Sequence, residues 1–255
     1  METPEFIASF PYIQVTPSFM QVRMGLIGAP GTGKTTAALT FPNAIVLDED
    51  NKCPPGVNNV PLWDPEVCRK WVTVKSKIDY GPRNGLIDFL KTEGPKFPKD
   101  STLIHDSWTS TMNKLDGWQD ANKVSIYWSA KKNEVDGFAL HGDRLAMAVE
   151  LSNAYKALKC NVIICIHEQI ERDKEGNPLS SIKPLMKGQF ADQMAAHLTA
   201  FFRQLHSPKW SGNNGYYWKV KADDVFKPIT PHGFAVPELG CIDATYEAYR
   251  KQFKV

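Results

Sequence analysis

The amino-acid sequence predicts an α/β fold with a mainly parallel sheet, flanking helices and antiparallel strands added at one edge. Two observations lead to this prediction. Short apolar segments alternate with segments of helical pattern along most of the chain, which is typical of parallel strands joined by crossover helices. Toward the C-terminus, two strand-like segments flank Ser211-Gly212-Asn213-Asn214-Gly215, whose Asn-Gly pair favours a hairpin.

Composition limits the classes of protein to consider. The chain has 255 residues, of which 42% are hydrophobic and 11% aromatic, and this is enough for a sizeable core. No apolar run approaches the ~18 residues of a membrane span, and the N-terminus lacks the pattern of a signal peptide. The five cysteines have no metal-ligand spacing, which favours reduced thiols in the cytoplasm. Because the net charge is only +2, any site for a polyanion must be a local patch.

We expect an extended arm over residues 1–20, which is rich in proline, and a single domain over residues 21–255. The predicted strands are Gln21–Ile27, Ala44–Leu47, Ser101–His105 and Asn161–Ile166, with Thr199–Leu205 and Tyr216–Lys221 in the hairpin. The predicted helices are Lys34–Phe41, Arg83–Lys91, Asp143–Lys159, Gln189–Leu198 and Thr245–Phe253. Residues 107–141 could hold a helix and a loop, and residues 168–188 are predicted to be a polar loop.

A phosphate-binding loop follows the first predicted strand. Residues 28–35 match the pattern G-x-x-x-x-G-K-[ST] at every fixed position, with a strand before and a helix after. Its glycines allow backbone N–H groups to turn toward phosphate oxygens, Lys34 would reach the β- and γ-phosphates, and Thr35 would bind Mg²⁺. The residues expected to contact the nucleotide are Gly28, Ala29, Pro30, Gly31, Thr32, Gly33, Lys34, Thr35 and Thr36. The sequence therefore predicts binding of ATP with Mg²⁺.

Acidic and polar residues end three of the other predicted strands. Asp106 follows an apolar strand and is predicted to hold the Mg²⁺ shell, with a helix N-cap as the alternative. Asp48-Glu49-Asp50 ends the second strand, where one carboxylate could polarise the attacking water; the alternative is a solvated acidic turn. His167 ends the fourth strand and could contact the γ-phosphate, although a lone histidine is more often structural.

The order of these motifs resembles the RecA-like core of P-loop NTPases. It is most similar to the small phage-type ATPases related to RecA, a group that includes single-strand-annealing recombinases, and the resemblance spans residues 21–222. It implies an ATPase stimulated by DNA that acts on single-stranded DNA in recombination or annealing. It also implies a homo-oligomeric ring or filament in the cytoplasm of a bacterial or phage-infected cell.

The resemblance assigns roles residue by residue. Asp50 matches the family's catalytic glutamate with Glu49 as its neighbour, and Asp106 matches the Walker-B aspartate. His167 matches the residue that links the γ-phosphate to the DNA-facing loop, which would be residues 168–188. Lys219 and Lys221 resemble the two basic residues that reach the ATP of a neighbouring subunit. Three features depart from the family pattern. Asp50 is shorter than the usual glutamate, His167 replaces the glutamine common in RecA, and the DNA-facing loop over residues 168–188 carries four acidic residues against four basic ones.

Several alternatives stay open from the sequence. Residues 200–232 carry five basic residues against two acidic ones, interleaved with Trp210, Tyr216, Tyr217 and Trp218. These aromatic rings are either platforms for single-stranded nucleic acid or the core of the hairpin. A ring-forming helicase or translocase would share the ATP chemistry, and a nucleotide-dependent scaffold would share the binding. A small-molecule kinase would need an arginine-rich lid, whereas residues 168–188 contain only Arg172.

Overall fold

The computed structural model describes residues 21–50, 82–175, 178–185 and 194–253. The predicted arm over residues 1–20 lies outside this part of the chain. The strands are β1 (Arg23–Gly28), β2 (Ala44–Asp48), β3 (Thr102–Asp106), β4 (Trp128–Ser129), β5 (Glu134–Val135), β6 (Asn161–Arg172), β7 (Pro178–Pro184), β8 (Ala200–His206), β9 (Tyr216–Lys219) and β10 (Cys241–Asp243). The α-helices are α1 (Lys34–Ala38), α2 (Pro82–Thr92), α3 (Trp108–Tyr127), α4 (Gly137–Ala157) and α5 (Tyr246–Arg250).

One mixed sheet organises the described residues. Its strand order is β10-β9-β8-β1-β6-β3-β2, and β7 pairs with β6 beside this path. The five strands from β8 to β2 are mutually parallel, whereas β9 and β10 are antiparallel additions at one edge. The predicted fold class, an α/β RecA-like core with antiparallel edge strands, is therefore confirmed. Strand β6 separates β1, which leads into the phosphate loop, from β3, which ends in Asp106.

Both faces of the parallel sheet are covered, as its nearly continuous apolar strands require. Successive residues of β6 alternate between the two hydrophobic clusters: Val162 and Ile164 pack on one side and Ile163 and Cys165 on the other. The first cluster includes residues of α2, α3 and α4, and the second includes residues of α1 and α5. Within the described residues, no helix is long and apolar enough to span a membrane.

The region between β3 and β6 differs most from the sequence prediction. Residues 108–127 form a 20-residue helix, which the weak periodicity of this segment left open. Helix α4 begins at Gly137 after its N-cap Asp136, six residues before the predicted start at Asp143. Asp143 instead accepts a hydrogen bond from the Tyr127 hydroxyl at 2.7 Å, so its carboxylate joins two helices and caps neither.

The predicted polar loop after the fourth strand is largely an antiparallel hairpin. Strand β6 continues through His167 to Arg172 and pairs with β7, so the loop prediction was wrong for most of this segment. Of the helix predicted over residues 189–198, only residues 194–197 form a helical turn, a single 3₁₀ turn, and residues 186–193 lie outside the described chain. Strand β9 ends at Lys219, two residues before its predicted end, and β10 was not predicted.

A buried histidine lies on the central strand β3. His105 is fully buried, and its Nε2 and Nδ1 atoms lie 2.7 Å from Thr111 Oγ1 and 2.8 Å from the Tyr155 hydroxyl. Burial lowers the pKa of His105 to about 3 because a charged imidazolium would lose its hydration there. The histidine is therefore neutral in the folded protein.

This lowered pKa predicts a loss of stability in acid. Unfolded chains protonate His105 below about pH 6.5, whereas the folded protein does so only near pH 3. The free energy of unfolding is therefore unaffected by protonation of His105 above pH 6.5. Below that pH it decreases by up to about 1.4 kcal/mol per pH unit, because only the unfolded chain takes up the proton. Urea unfolding between pH 7 and pH 4 measures this effect. The free energy of unfolding should decrease less steeply with falling pH in His105→Gln than in the wild type. The exposed control His141→Gln should keep the wild-type slope, and equal slopes for all three proteins would contradict the assignment.

Candidate functional site

The strand register gathers the predicted site residues at one edge of the sheet. Gly28 at the end of β1 lies opposite His167 of β6, and Asp48 at the end of β2 lies opposite Asp106 of β3. Because these strands are parallel, their carboxyl ends share this edge, which is where open α/β sheets bind ligands. The phosphate loop, the acidic segment and His167 are thus brought together as the sequence predicts.

The phosphate loop surrounds the ammonium group of Lys34. Lys34 is buried, and its Nζ donates to the carbonyl oxygens of Gly28 and Ala29, both at 2.9 Å. Gly31 and Gly33 have φ angles of +78° and +79°, which L side chains rarely adopt. Burial lowers the pKa of Lys34, while the carboxylates of Asp106, Glu168 and Asp50 act to raise it. This ammonium therefore lies in a pocket of backbone dipoles, where bound phosphate would be its natural counter-ion.

Thr35 and Asp106 form the part of the site suited to a cation. The Thr35 hydroxyl donates to Asp106 Oδ2 at 2.5 Å, which joins the start of α1 to the end of β3. Burial raises the pKa of Asp106, and the nearby charges of Asp50 and Asp48 raise it further, whereas the hydrogen bond from Thr35 lowers it. The Thr35 hydroxyl and the Asp106 carboxylate are oxygen donors of the kind that Mg²⁺ prefers.

Asp50 faces the centre of the site. Its side chain is 10% exposed, and its Oδ2 lies 3.9 Å from His167 Nε2. Its Oδ1 accepts a hydrogen bond from Ser110 and lies 3.5 Å from the Ser107 hydroxyl. His167 is itself tethered, because its backbone N–H donates to Thr109 Oγ1 at 3.0 Å. The carboxylate is thus held beside His167 but keeps contact with solvent.

Glu49 has a different environment from its neighbour Asp50. Its side chain is 1% exposed, and its Oε2 accepts a hydrogen bond from Lys114 Nζ at 2.5 Å. The same ammonium also donates to the Glu49 carbonyl oxygen at 3.0 Å. Burial raises the pKa of Glu49, and the contact with Lys114 opposes that shift. Glu49 is therefore held inside the protein in an ion pair.

A second ion pair lies next to His167. The Glu168 carboxylate is bound at both oxygens by Arg203, with Nε–Oε2 at 2.8 Å and Nη2–Oε1 at 3.1 Å. Arg203 lies on β8 opposite Ile27, one residue before the phosphate loop. This pair fixes the start of the β6–β7 hairpin against the strand beside the loop.

The two predicted trans-acting lysines differ in their surroundings. Lys219 ends β9 and forms an ion pair with Asp223 of its own chain. Lys221 lies beyond the strand and is exposed. The sequence missed the pair because Asp223 approaches Lys219 only through the turn that follows β9.

The aromatic residues of the hairpin fall into three environments. Trp218 is fully buried and its Nε1 donates to Gln204 at 2.5 Å, so it belongs to the core. Tyr217 stacks on Trp210 with ring centroids 4.8 Å apart. Tyr216 packs on the phosphate loop, where a Cβ built on Gly33 would lie 2.8 Å from its ring. The hairpin-core alternative is correct for Trp218.

The chemistry of these residues fits a nucleoside triphosphate with Mg²⁺. Lys34 and the loop backbone present positive charge, while Thr35, Asp106 and the neighbouring acids present oxygen donors. Among the described residues, no cluster of three or more His, Cys, Asp or Glu side chains could hold a metal ion by itself.

Sequence reasoning did not find the residues of α3 that contact the acids. Ser110, Thr109 and Lys114 all reach β2 or β6 from this helix. They lie about 60 residues from their partners in the chain, so no local pattern connects them. The one available signal was Ser107 directly after the strand, which is the N-cap of α3 and whose side chain accepts from the Ser110 N–H.

Comparison with known proteins gives three findings. A protein-family model described as "AAA domain" matches residues 20–207. No curated protein sequence matches the chain. Among solved structures, a crystal structure of the RadB recombinase matches at 11% sequence identity and a TM-score of 0.34, covering 87% of this chain and 90% of that one.

Proposed function

The chain belongs to the AAA domain family. Because it also has a RecA-like P-loop core, we propose that it is an ATPase that acts on single-stranded DNA in recombination or annealing. One observation supports the proposal that the protein hydrolyses ATP. The phosphate-loop lysine, the Thr35–Asp106 pair and the Asp50–His167 pair all meet at the carboxyl edge of one parallel sheet. A bound Mg²⁺ ion would neutralise phosphate charge there.

Each residue would have a separate task in ATP hydrolysis. Lys34 and the backbone of residues 28–36 bind the phosphates, and Thr35 with Asp106 would hold Mg²⁺. Asp50 orients and polarises the attacking water. His167 lies 3.9 Å from that carboxylate and at the head of the β6–β7 hairpin, which suits it to sense the γ-phosphate.

The surroundings of the two neighbouring acids favour Asp50 over Glu49 as the residue that contacts water. A base must reach the reactants by hydrogen bonds. The Glu49 carboxylate is engaged by Lys114 and is almost inaccessible, whereas the Asp50 carboxylate is partly exposed and borders His167. We therefore assign Glu49 to holding α3 against β2.

The proposal of single-stranded DNA binding is supported by the hairpin that continues from His167. The β6–β7 hairpin exposes Ile170 at 42%, together with the basic residues Arg172 and Lys174. Because β6 also carries His167, a strand of DNA on this hairpin would contact the same element as the nucleotide site. The basic side chains would follow the phosphates of the strand, as basic grooves do in other sites for single-stranded nucleic acid, and acidic side chains alternate with them along the hairpin.

A salt titration tests DNA binding. If about 3–5 phosphates are neutralised, a log–log plot of the dissociation constant against salt should have a slope of roughly 2–3.5. We expect ATP hydrolysis to rise when an oligonucleotide is added, and Lys174→Ala to reduce the salt slope by about 0.7. The measurement is fluorescence anisotropy of a labelled oligonucleotide with ATP and Mg²⁺, with Lys251→Ala at the C-cap of α5 as the control. Absence of binding at low salt would contradict the proposal.

A homo-oligomer would complete the site. Strand β9 runs antiparallel to β8, so it ends at the edge of the sheet opposite the phosphate loop. Lys221 follows that end, and we therefore propose that it acts on the nucleotide of a neighbouring subunit. Cations from a neighbouring subunit commonly stabilise charge on the γ-phosphate. Lys221 is the better candidate for this role, since Lys219 is engaged by Asp223.

A further inference from the structure

The first turn of α3 carries hydroxyl groups that face the site from residues outside every motif described above. Ser107 is the N-cap of the helix, and Ser110 lies in its first turn. Thr109 holds the backbone of His167, as described. This turn therefore contacts β6 at His167 and the segment directly after β2 that supplies Asp50.

Ser110 forms the closest of these contacts. Its Oγ donates to Asp50 Oδ1, and it lies 3.1 Å from the Ser107 hydroxyl, which donates to it. A serine hydroxyl has one proton and two lone pairs, so the proton of Ser110 is committed to Asp50 while its oxygen accepts from Ser107. The result is a short chain of hydroxyls that ends on one oxygen of the carboxylate and leaves Oδ2 toward His167.

This contact also places the Asp50 carboxylate at the start of α3. Asp50 is held at the N-terminal end of a 20-residue helix, where the partial positive charge of the helix attracts anions. A hydrogen bond to a carboxylate fixes which oxygen is free to contact water. Without it, the aspartate side chain could rotate away from the direction of the γ-phosphate.

We propose that Ser110 is a positioning residue that orients the Asp50 carboxylate for its contact with the attacking water. The proposal rests on the proposed role of Asp50 in hydrolysis. Ser110 would act through the hydrogen bond that its hydroxyl donates to Asp50. Its removal should lower kcat and leave KM for ATP unchanged.

A double-mutant cycle tests this dependence. The variants are Ser110→Ala, Ser110→Cys, Ser110→Thr, Asp50→Asn and the double variant Ser110→Ala with Asp50→Asn, all in the full chain. We expect Ser110→Ala and Ser110→Cys to lower kcat about 10-fold or more, and Ser110→Thr to restore most of it, because threonine keeps the hydroxyl. In the Asp50→Asn background, Ser110→Ala should cause no further loss.

The control is Ser125→Ala on the same helix. The exposed Ser125 hydroxyl donates to the Asn122 carbonyl oxygen, so this variant should keep the wild-type kcat. Thermal unfolding of each variant separates loss of fold from loss of positioning. If Ser110→Ala lowers kcat equally in both backgrounds, or if threonine fails to restore it, the positioning role is wrong while Asp50 can still be catalytic. If the wild-type protein hydrolyses no ATP with or without DNA, the proposed function fails first.

Discussion

Replacing Lys34 with alanine should weaken ATP binding about 100-fold or more and abolish hydrolysis. The ammonium group lies within the phosphate loop and donates to the carbonyl oxygens of Gly28 and Ala29 at 2.9 Å. Hydrogen bonds from a charged donor contribute about 1.5–3 kcal/mol each, and Lys34 would make them to two phosphates. Isothermal titration calorimetry with ATP and Mg²⁺ measures the loss directly.

A second variant separates charge from packing. Lys34 is buried, so alanine also removes its buried methylene groups. Lys34→Met keeps most of that volume and removes the charge. Both variants should lose ATP binding, and Lys34→Met should unfold close to the wild-type temperature. Wild-type affinity in Lys34→Met would contradict the phosphate-binding role.

Replacing Asp50 with asparagine should slow hydrolysis by about 10²–10⁴-fold while changing ATP affinity little. A carboxylate that polarises water contributes in this range, and asparagine keeps the shape but not the charge. Single-turnover hydrolysis and equilibrium binding of the same protein measure the two effects separately. Glu49→Gln is the matched control, because its carboxylate is engaged by Lys114, and it should retain most of its hydrolysis at a cost in stability.

Asp106→Asn should weaken ATP binding, whereas Asp50→Asn should slow hydrolysis and leave binding almost unchanged. Its carboxylate accepts from Thr35 and is assigned to Mg²⁺, so the variant should lose the part of ATP affinity that depends on Mg²⁺. An equal loss of binding in Asp50→Asn and Asp106→Asn would show that the two strands do not divide these tasks. Equal loss of hydrolysis in Asp50→Asn and Glu49→Gln would make the choice of Asp50 wrong.

Strongly patterned elements of this fold could be predicted from the sequence. The five parallel strands lie within two residues of their predicted limits at their N-terminal ends, because each is an apolar run bounded by polar or turn residues. Helix α3 was less evident, since its buried residues include polar ones such as Gln119 and Asp116. The extension of β6 past His167 was also missed, because its polar residues pair with β7 and do not enter the core.

The phosphate loop could be located from the sequence because its chemistry depends on backbone conformation within eight residues. Contacts between distant segments could not. Lys114 and Glu49 are 65 residues apart in the chain. Lys219 and Asp223 are only four residues apart, but they meet through a turn whose path no sequence pattern specifies. The choice between Asp50 and Glu49 likewise depends on which side chain α3 covers, and this is a property of packing.

Release of phosphate from ATP by the wild-type protein tests the central claim most directly. The assay compares the wild type, Lys34→Met and Asp50→Asn with Mg²⁺, with excess EDTA, and with and without a single-stranded oligonucleotide. We expect release by the wild type that requires Mg²⁺, no release by Lys34→Met, and bound but unhydrolysed ATP in Asp50→Asn. Wild-type protein that binds no ATP, or hydrolysis that persists in Lys34→Met, would contradict the central claim.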